Sequence, residues 1–206
     1  TLTANTTTGE STAVGYRALK AMTTGSRNNA IGTYAASQIT TGDRNEAIGY
    51  GALYTLTTAS YNVAIGYKCL HLLTTAHDNV AIGAFAAYNT TTAAGNTVVG
   101  NYALYANTTG HSNTAIGSYS PATGGSNVVA ALRQNTTGTY NTAVGTGALA
   151  ENTTASYNTG VGFRALDSNS TGERNTAVGY KALEDTGNGN DNTAVGHQAL
   201  DDCATS

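Results

Sequence analysis

Asn62-Val63-Ala64-Ile65-Gly66 is answered seventeen residues later by Asn79-Val80-Ala81-Ile82-Gly83, and that pair sets the reading of the whole chain. The closing glycine recurs as Gly15, Gly32, Gly49, Gly66, Gly83, Gly100 and Gly117, then as Gly145, Gly162, Gly179 and Gly196. Every step is 17 residues except the 28 between Gly117 and Gly145. Read as two shortened units of 14, that step puts Ala131 in the glycine slot. A fixed short period marks a solenoid, in which each unit is stable only against its neighbours. Residues 1–206 are therefore expected to form a single repeat body.

Composition agrees with this. Charged residues make up 10% of the chain, Trp is absent and there is one Pro. A chain dominated by Gly, Ala, Thr and Asn builds a thin core of small and β-branched side chains. The net charge of −3 gives no basic field for nucleic acid or an anionic membrane surface. No apolar run reaches the roughly 18 residues of a membrane span. Regular apolar positions separate the chain from a disordered one. It opens and closes inside a repeat without a polar cap, which points to a segment of a longer fibre or a subunit that stacks end to end.

Aligning the units turns sequence into a cross-section. The residue before each glycine is β-branched throughout, from Val14, Ile31 and Ile48 to Val178 and Val195. Such residues favour strands. One place earlier stands Ala, at Ala13, Ala30, Ala47, Ala64, Ala81, Ala115, Ala143, Ala177 and Ala194. Neighbours along a strand point to opposite faces, so this strand is apolar on both. The expectation is that Val and Ile fill the coil while the uniform Ala column contacts another copy of the chain. Leu19, Leu53, Leu70, Leu104, Leu149, Leu166, Leu183 and Leu200, four places after the glycine, form a second apolar column, with Ala36 and Ala87 as smaller members. Over four residues periodicity does not separate a second strand from one helical turn. Four places before the glycine is Asn, from Asn28 through Asn127 to Asn192, suited to an amide ladder along the axis. The predicted fold is all-β, a parallel β-solenoid (β-roll) of about twelve coils, some 55–60 Å long at strand spacing.

Candidate chemistry is sparse. No zinc spacing, phosphate-binding glycine loop, nucleophile elbow or calcium nonapeptide is present, so no enzyme, metal or cofactor is expected. His77 and His111 share a column but lie two coils apart, about 9–10 Å, too far for one metal. The stretch from Gly117 to Ser126 is the one break in the repeat and reads as a deletion at a bend. Cys69 stands where other units carry Ala, which makes it a small buried thiol. Cys203 lies eight coils away, about 38 Å, so a bridge between the two is excluded and Cys203 is left for contacts between chains. Asn5, Asn89, Asn107, Asn135, Asn152 and Asn169 begin Asn-x-Ser/Thr sequences, which this repeat also spells without glycosylation in view.

Two features point to binding. Thr-Thr pairs such as Thr23-Thr24 and Thr57-Thr58 recur in most units, but only one of each pair can lie on a given face. Tyr16, Tyr50, Tyr67 and Tyr180 follow the glycine, and Tyr61, Tyr140 and Tyr157 precede the Asn. Ranks of amphipathic rings suit sugar rings or a protein receptor.

The unit Asn-Thr-Ala-Val-Gly, or Asn-Val-Ala-Ile-Gly at Asn62 and Asn79, resembles the Asn-Ser-Val-Ala-Ile-Gly repeat of trimeric autotransporter adhesin heads. Similar units look like those of phage tail and side fibres. The resemblance spans nearly the whole chain, although the unit here is longer than the adhesin one. It implies a left-handed β-roll, three chains around an axis, and display outside the cell or virion. The expected function is an extracellular attachment fibre binding a carbohydrate or protein receptor as a homotrimer. The alternatives are a filament subunit joining end to end and an ice-binding solenoid using the threonines.

Overall fold

A computed structural model describes residues 10–120, 129–185 and 187–201. It is an all-β solenoid, and no helix occurs among the described residues. Its strands are β1 (Thr12–Val14), β2 (Asn29–Ile31), β3 (Glu46–Ile48), β4 (Val63–Ile65), β5 (Val80–Ile82), β6 (Thr97–Val99), β7 (Thr114–Ile116), β8 (Thr142–Val144), β9 (Thr159–Val161), β10 (Thr176–Val178) and β11 (Thr193–Val195). They form one parallel sheet in chain order, so each strand pairs with the next turn of the coil. Register follows the repeat, with Ala30 opposite Ala47 and Ile31 opposite Ile48.

The long step is one coil. β7 pairs directly with β8, Thr114 opposite Thr142, so the 28 residues from Gly117 to Gly145 make one turn with an insertion of eleven. This corrects the two 14-residue units and the reading as a deletion. The stack makes about ten turns. Ala131 is not in the glycine slot. It precedes Leu132, whose φ of 49° and hydrogen bond to Ala148 match the Leu column of every other coil. Much of the insertion, and Asn127 within it, lies outside the described residues. The Asn column passes it by, since the Asn141 N–H donates straight to Asn113 Oδ1 at 2.9 Å.

The two faces of the sheet are reversed from expectation. Ala30, Ala47, Ala64, Ala81, Ala115, Ala143 and Ala177 are fully buried inside the single chain, and Ala194 nearly so. Ala13 is half-buried against the same core. Ile31, Ile48, Ile82, Val99, Ile116 and Val178 point outward and remain 36–43% exposed. The reason is the depth of the coil. Leu19, Leu53, Leu70, Leu104, Leu149, Leu166 and Leu183 reach across from the far side and fill it. Only a small side chain fits opposite them. A Cβ added at Gly160 would lie 3.3 Å from Leu149 Cγ, eleven residues back in the same coil. At the same separation Val98, the one inward β-branched residue of the strands, stands opposite Ala87, where the Leu is missing.

The side opposite the sheet is neither strand nor helix. It is a turn with two residues in the left-handed region, such as Arg17 (φ 58°) and Leu19 (φ 48°). A left-handed non-glycine residue costs about 1–2 kcal/mol. Burying the Leu side chain contributes about 2–3 kcal/mol, and its N–H bonds the next coil, Leu19 to the Ala35 carbonyl at 3.2 Å. Burial wins, and the strained turn persists.

Asparagines bind the coils to one another. From Asn28 to Asn192 each Oδ1 accepts the backbone N–H of the next Asn, at 2.9–3.1 Å throughout. The amide Nδ2 donates to a corner carbonyl of the following coil, Asn28 to Gly42 at 2.7 Å and Asn158 to Gly172 at 2.8 Å. Asn28 through Asn175 are buried, so every lost bond would leave an unsatisfied group.

Candidate functional site

Three exposed ladders run the length of the coil. The first is the outward β-branched column of the sheet. Besides the residues above it contains Val14 and Val195, 55% and 70% exposed at the ends, and the half-buried Ile65, Val144 and Val161. Strand pairing sets it at one residue per coil. Beside it runs the other outward rank of the strands, Thr in Thr97, Thr114, Thr142, Thr159, Thr176 and Thr193 but mixed in the first coils, where Glu46, Val63 and Val80 stand.

The second ladder is the threonine corner. The first Thr of each pair turns its hydroxyl to the stack, Thr23 to the Thr40 carbonyl at 3.1 Å and Thr136 to Thr153 at 2.9 Å. The second, from Thr24 to Thr154, is exposed. The second Thr of each pair is therefore the more exposed one, at a bend of the coil and not in a strand. The neighbouring outward rank is mixed, with Ser26, Asp43, His77 and Glu173, so it does not extend a threonine lattice. A concavity of about 430 Å³ opens here between Tyr61, His77 and Asp78. It is wide and shallow.

The third is the turn edge. Tyr16, Tyr50, Tyr67 and Tyr180 lie on it and are 44–58% exposed. Tyr50 stacks on Tyr67 at 5.3 Å, and Tyr180 lies between Phe163 and His197. A second row that the reading above missed lies alongside. Tyr54, His71, Tyr88 and Tyr105 stack in succession at 5.0, 5.3 and 5.5 Å with nearly parallel planes. Arg133 caps the row, 6.0 Å from the Tyr105 ring centre. The signal was available: these residues recur at 17-residue steps five places after the glycine. Tyr34, Phe85 and Tyr102 tie the two rows together.

Tyr61, Tyr140 and Tyr157 form a separate rank at the corner before the Asn column. Tyr140 stacks on Tyr157 at 5.2 Å, while Tyr61 accepts a hydrogen bond from Arg44 at 2.8 Å. The structure thus places the two predicted Tyr ranks on different corners.

Behind the insertion the turn edge changes character. Arg164 lies 3.1 Å from Glu184 and 3.6 Å from Asp167, and Lys181 lies 2.8 Å from Glu184. Burial pushes the Asp167 carboxyl up to about 6, against the pull of Arg164.

Asn107, Asn135, Asn152 and Asn169 are buried, so the folded chain offers no acceptor amide there. Asn89 donates its amide to the Tyr105 carbonyl at 3.0 Å. Asn5 and Cys203 lie outside the described residues. Cys69 is buried, bonded to the Ala81 carbonyl at 3.2 Å, and burial pushes its thiol up to about 12. Among the described residues no three His, Cys, Asp or Glu side chains come together to hold a metal, and no helix is long and apolar enough to cross a membrane.

No protein-family model, curated protein or solved structure matches this chain.

Proposed function

We propose that this chain is a segment of an extracellular attachment fibre that assembles as a homotrimer through its outward β-branched column. One observation carries the reading. The sheet is parallel, its inner face is covered by the chain's own leucines, and its outer face carries, beside a mostly polar rank, an unbroken apolar column left uncovered. Parallel sheets are ordinarily covered on both faces. Eight of its members are 36–70% exposed, and a contiguous apolar stripe of this kind marks an interaction site. A second copy offers the matching column at the same spacing of about 4.8 Å per coil. Parallel chains around an axis then stack Val on Val and Ile on Ile along the fibre. The resemblance to adhesin heads and tail fibres supports the same arrangement, with Val and Ile at the contact instead of Ala. The turn edge faces away as the surface for a cell-surface receptor.

Mass photometry of the purified chain tests this, with Ile48→Lys/Ile82→Lys as the control. Both positions face outward, so the coil itself tolerates the change. A discrete trimer that dissociates in the double variant, with circular dichroism unchanged, supports the proposal. A wild-type monomer at micromolar concentration overturns it. An open-ended series of masses shifts the reading to the end-to-end filament, and a monomer with thermal hysteresis shifts it to the ice-binding one.

A further inference from the structure

The geometry points to the turn edge ahead of the insertion as a binding track for an acidic polysaccharide, laid along the fibre axis. This rests on the attachment reading and names the class of receptor.

The two aromatic rows run parallel to the axis, from Tyr16 and Tyr34 at one end to Tyr102, Tyr105 and Tyr119 at the other. Between them lies a concavity of about 390 Å³ lined by Arg17, Tyr34, Tyr50, Tyr54, Lys68 and His71. Tyrosine presents an apolar face and a hydroxyl at its rim, which matches the apolar face and ring of hydroxyls of a pyranose. A row of such rings accepts a polymer of sugars without needing a deep pocket.

Charge selects the kind of sugar. The turns of the coils from Gly15 to Gly117 contain Arg17, Lys20, Lys68 and Arg133 and not one carboxylate. The corresponding turns behind the insertion carry Glu151, Asp167, Glu184, Asp185 and Asp201. Among the described residues Arg17 and Lys68 form no ion pair. Arg17 lies over Tyr16 and Tyr34, at 5.1 and 5.7 Å, and Lys68 lies 5.5 Å from the Tyr67 ring centre. Both cations are held at the lip of the concavity by rings instead of acids, which leaves their charge for a ligand. His71 donates Nδ1–H to the Gly51 carbonyl at 2.8 Å, and burial lowers its pKa, so it serves as a neutral ring of the stack.

Spacing separates a polysaccharide from a nucleic acid. Arg17 and Lys20 belong to the first coil, Lys68 to the fourth and Arg133 to the seventh, so positive charge recurs only about every 14 Å. A nucleic acid strand carries a phosphate about every 3.4 Å and needs denser neutralisation. Sparse cations beside a continuous ring surface fit a polymer of mostly stacked sugars with carboxylates or sulfates at intervals.

Binding of fluorescent hyaluronan, alginate and heparin to the full chain tests the inference, with dextran, polyglutamate and single-stranded poly(dT) as comparisons. The expected result is salt-sensitive binding of at least one acidic polysaccharide. It should weaken roughly tenfold in Arg17→Gln/Lys68→Gln, with Arg17→Lys restoring part of it, and comparably in Tyr50→Ala/Tyr54→Ala. Equal affinity for dextran removes the charge argument, and equal affinity for polyglutamate removes the rings. Tighter binding of poly(dT) makes the track one for nucleic acid, and silence from all three acidic polysaccharides overturns the inference outright. Mass photometry on the same samples keeps the two proposals apart. A trimer that binds no glycan sinks this one alone, and a monomer that binds glycan sinks the assembly alone.

Discussion

The first coils of the stack and the last ones share one backbone and fill two of its columns differently. At the corner seven places after the glycine, the first coils bury Met22, Ile39, Leu56 and Leu73, while the later ones bury Asn107, Asn135, Asn152 and Asn169, with Thr90 at the change. On the turn edge, aromatic rings and cations give way to an ion-paired cluster. The same fold therefore tolerates an oily corner or an amide corner, provided each is continuous from coil to coil. In the later coils Asn135 donates to Asn107 Oδ1 at 3.0 Å and Asn152 to Asn135 Oδ1 at 2.8 Å, so these two Oδ1 atoms have a partner only because the next residue of the column is also Asn. What these coils require is a run of like residues.

The largest effect should fall on a column that the two regions share. Gly83 and Gly162 have φ of 136°, and an added Cβ on either would lie 2.6 Å from the carbonyl carbon of the next glycine. The conformation is close to glycine-only and the obstacle is backbone. Gly83→Ala and Gly162→Ala should each cost about 4 kcal/mol or more in urea denaturation. A mild loss at one of them would mean that the coils are not equally tight and that the shared-backbone comparison is wrong.

Next come the residues that differ. Leu56→Asn places an amide between Ile39 and Leu73. Its Nδ2 can reach the Ala59 carbonyl, as Asn152 reaches Ala155 at 3.1 Å, but its Oδ1 meets only hydrocarbon. Lost burial and an unpaired acceptor should cost about 3 kcal/mol. The converse, Asn152→Leu, strips Asn135 of its partner and should cost about 2–3 kcal/mol. Converting Ile39, Leu56 and Leu73 together to Asn should cost clearly less than three times the single change, because the inserted amides satisfy one another. Strict additivity would refute the idea that continuity, and not polarity, is what the corner needs.

Most of the architecture was legible because period and column type are properties of sequence. The orientation of the sheet was not. Alternation says that the Ala and Val/Ile columns face opposite ways, and both are apolar, so hydrophobicity does not choose between them. The residue that decides is Asn. It lies two places before Ala, on the same side, and a ladder from Asn28 to Asn192 is worth its full strength only away from water. Reading Asn and Ala together would have turned Ile31 and Ile48 outward. Compensation within a coil is a second clue, Gly160 opposite Leu149 and Val98 opposite Ala87. The insertion misled because a shifted Val-Val-Ala at 128–130 imitates the repeat while only Ala131-Leu132 has the right continuation. The stacked row from Tyr54 to Tyr105 is legible as a 17-residue period five places after the glycine, away from the Tyr positions beside Gly and Asn.

A smaller difference between the regions is electrostatic. Asp167 has its pKa raised from 3.8 to about 6 by burial, so the folded chain holds the proton more tightly than the unfolded one. Between those values the native state binds more protons, and stability falls as pH rises. Below about 3.8 both states are protonated and the penalty is absent, whereas above about 6 it is fully present. Asp167→Asn should therefore raise stability at pH 7 by about 1–2 kcal/mol, with salt and the neighbouring Arg164 trimming the gain, and should leave it unchanged near pH 3.5. The first region holds Lys20, Ser37, Tyr54, His71, Tyr88 and Tyr105 at this place in the turn, with no carboxylate among them. A pH 7 loss in Asp167→Asn would show that the ion pair with Arg164 outweighs desolvation.

The least effect belongs to Cys69, the one residue of its column that is not Ala in the described coils. Ala52 and Ala86 flank it along the stack, and all three are fully buried. The thiol adds one heavy atom to a slot that works with a methyl group, and its weak bond to the Ala81 carbonyl is its only polar contribution. Cys69→Ala should change stability by less than about 1 kcal/mol. Because burial lifts the thiol to about 12, hardly any thiolate exists at neutral pH, and the native chain should react with a thiol reagent at this position only as fast as the coil opens. Rapid labelling of Cys69 with the fold intact would mean that these coils breathe locally. In a stack where each turn is held only by its neighbours, such breathing at the fourth coil would mark the oily corner as the weaker of the two regions.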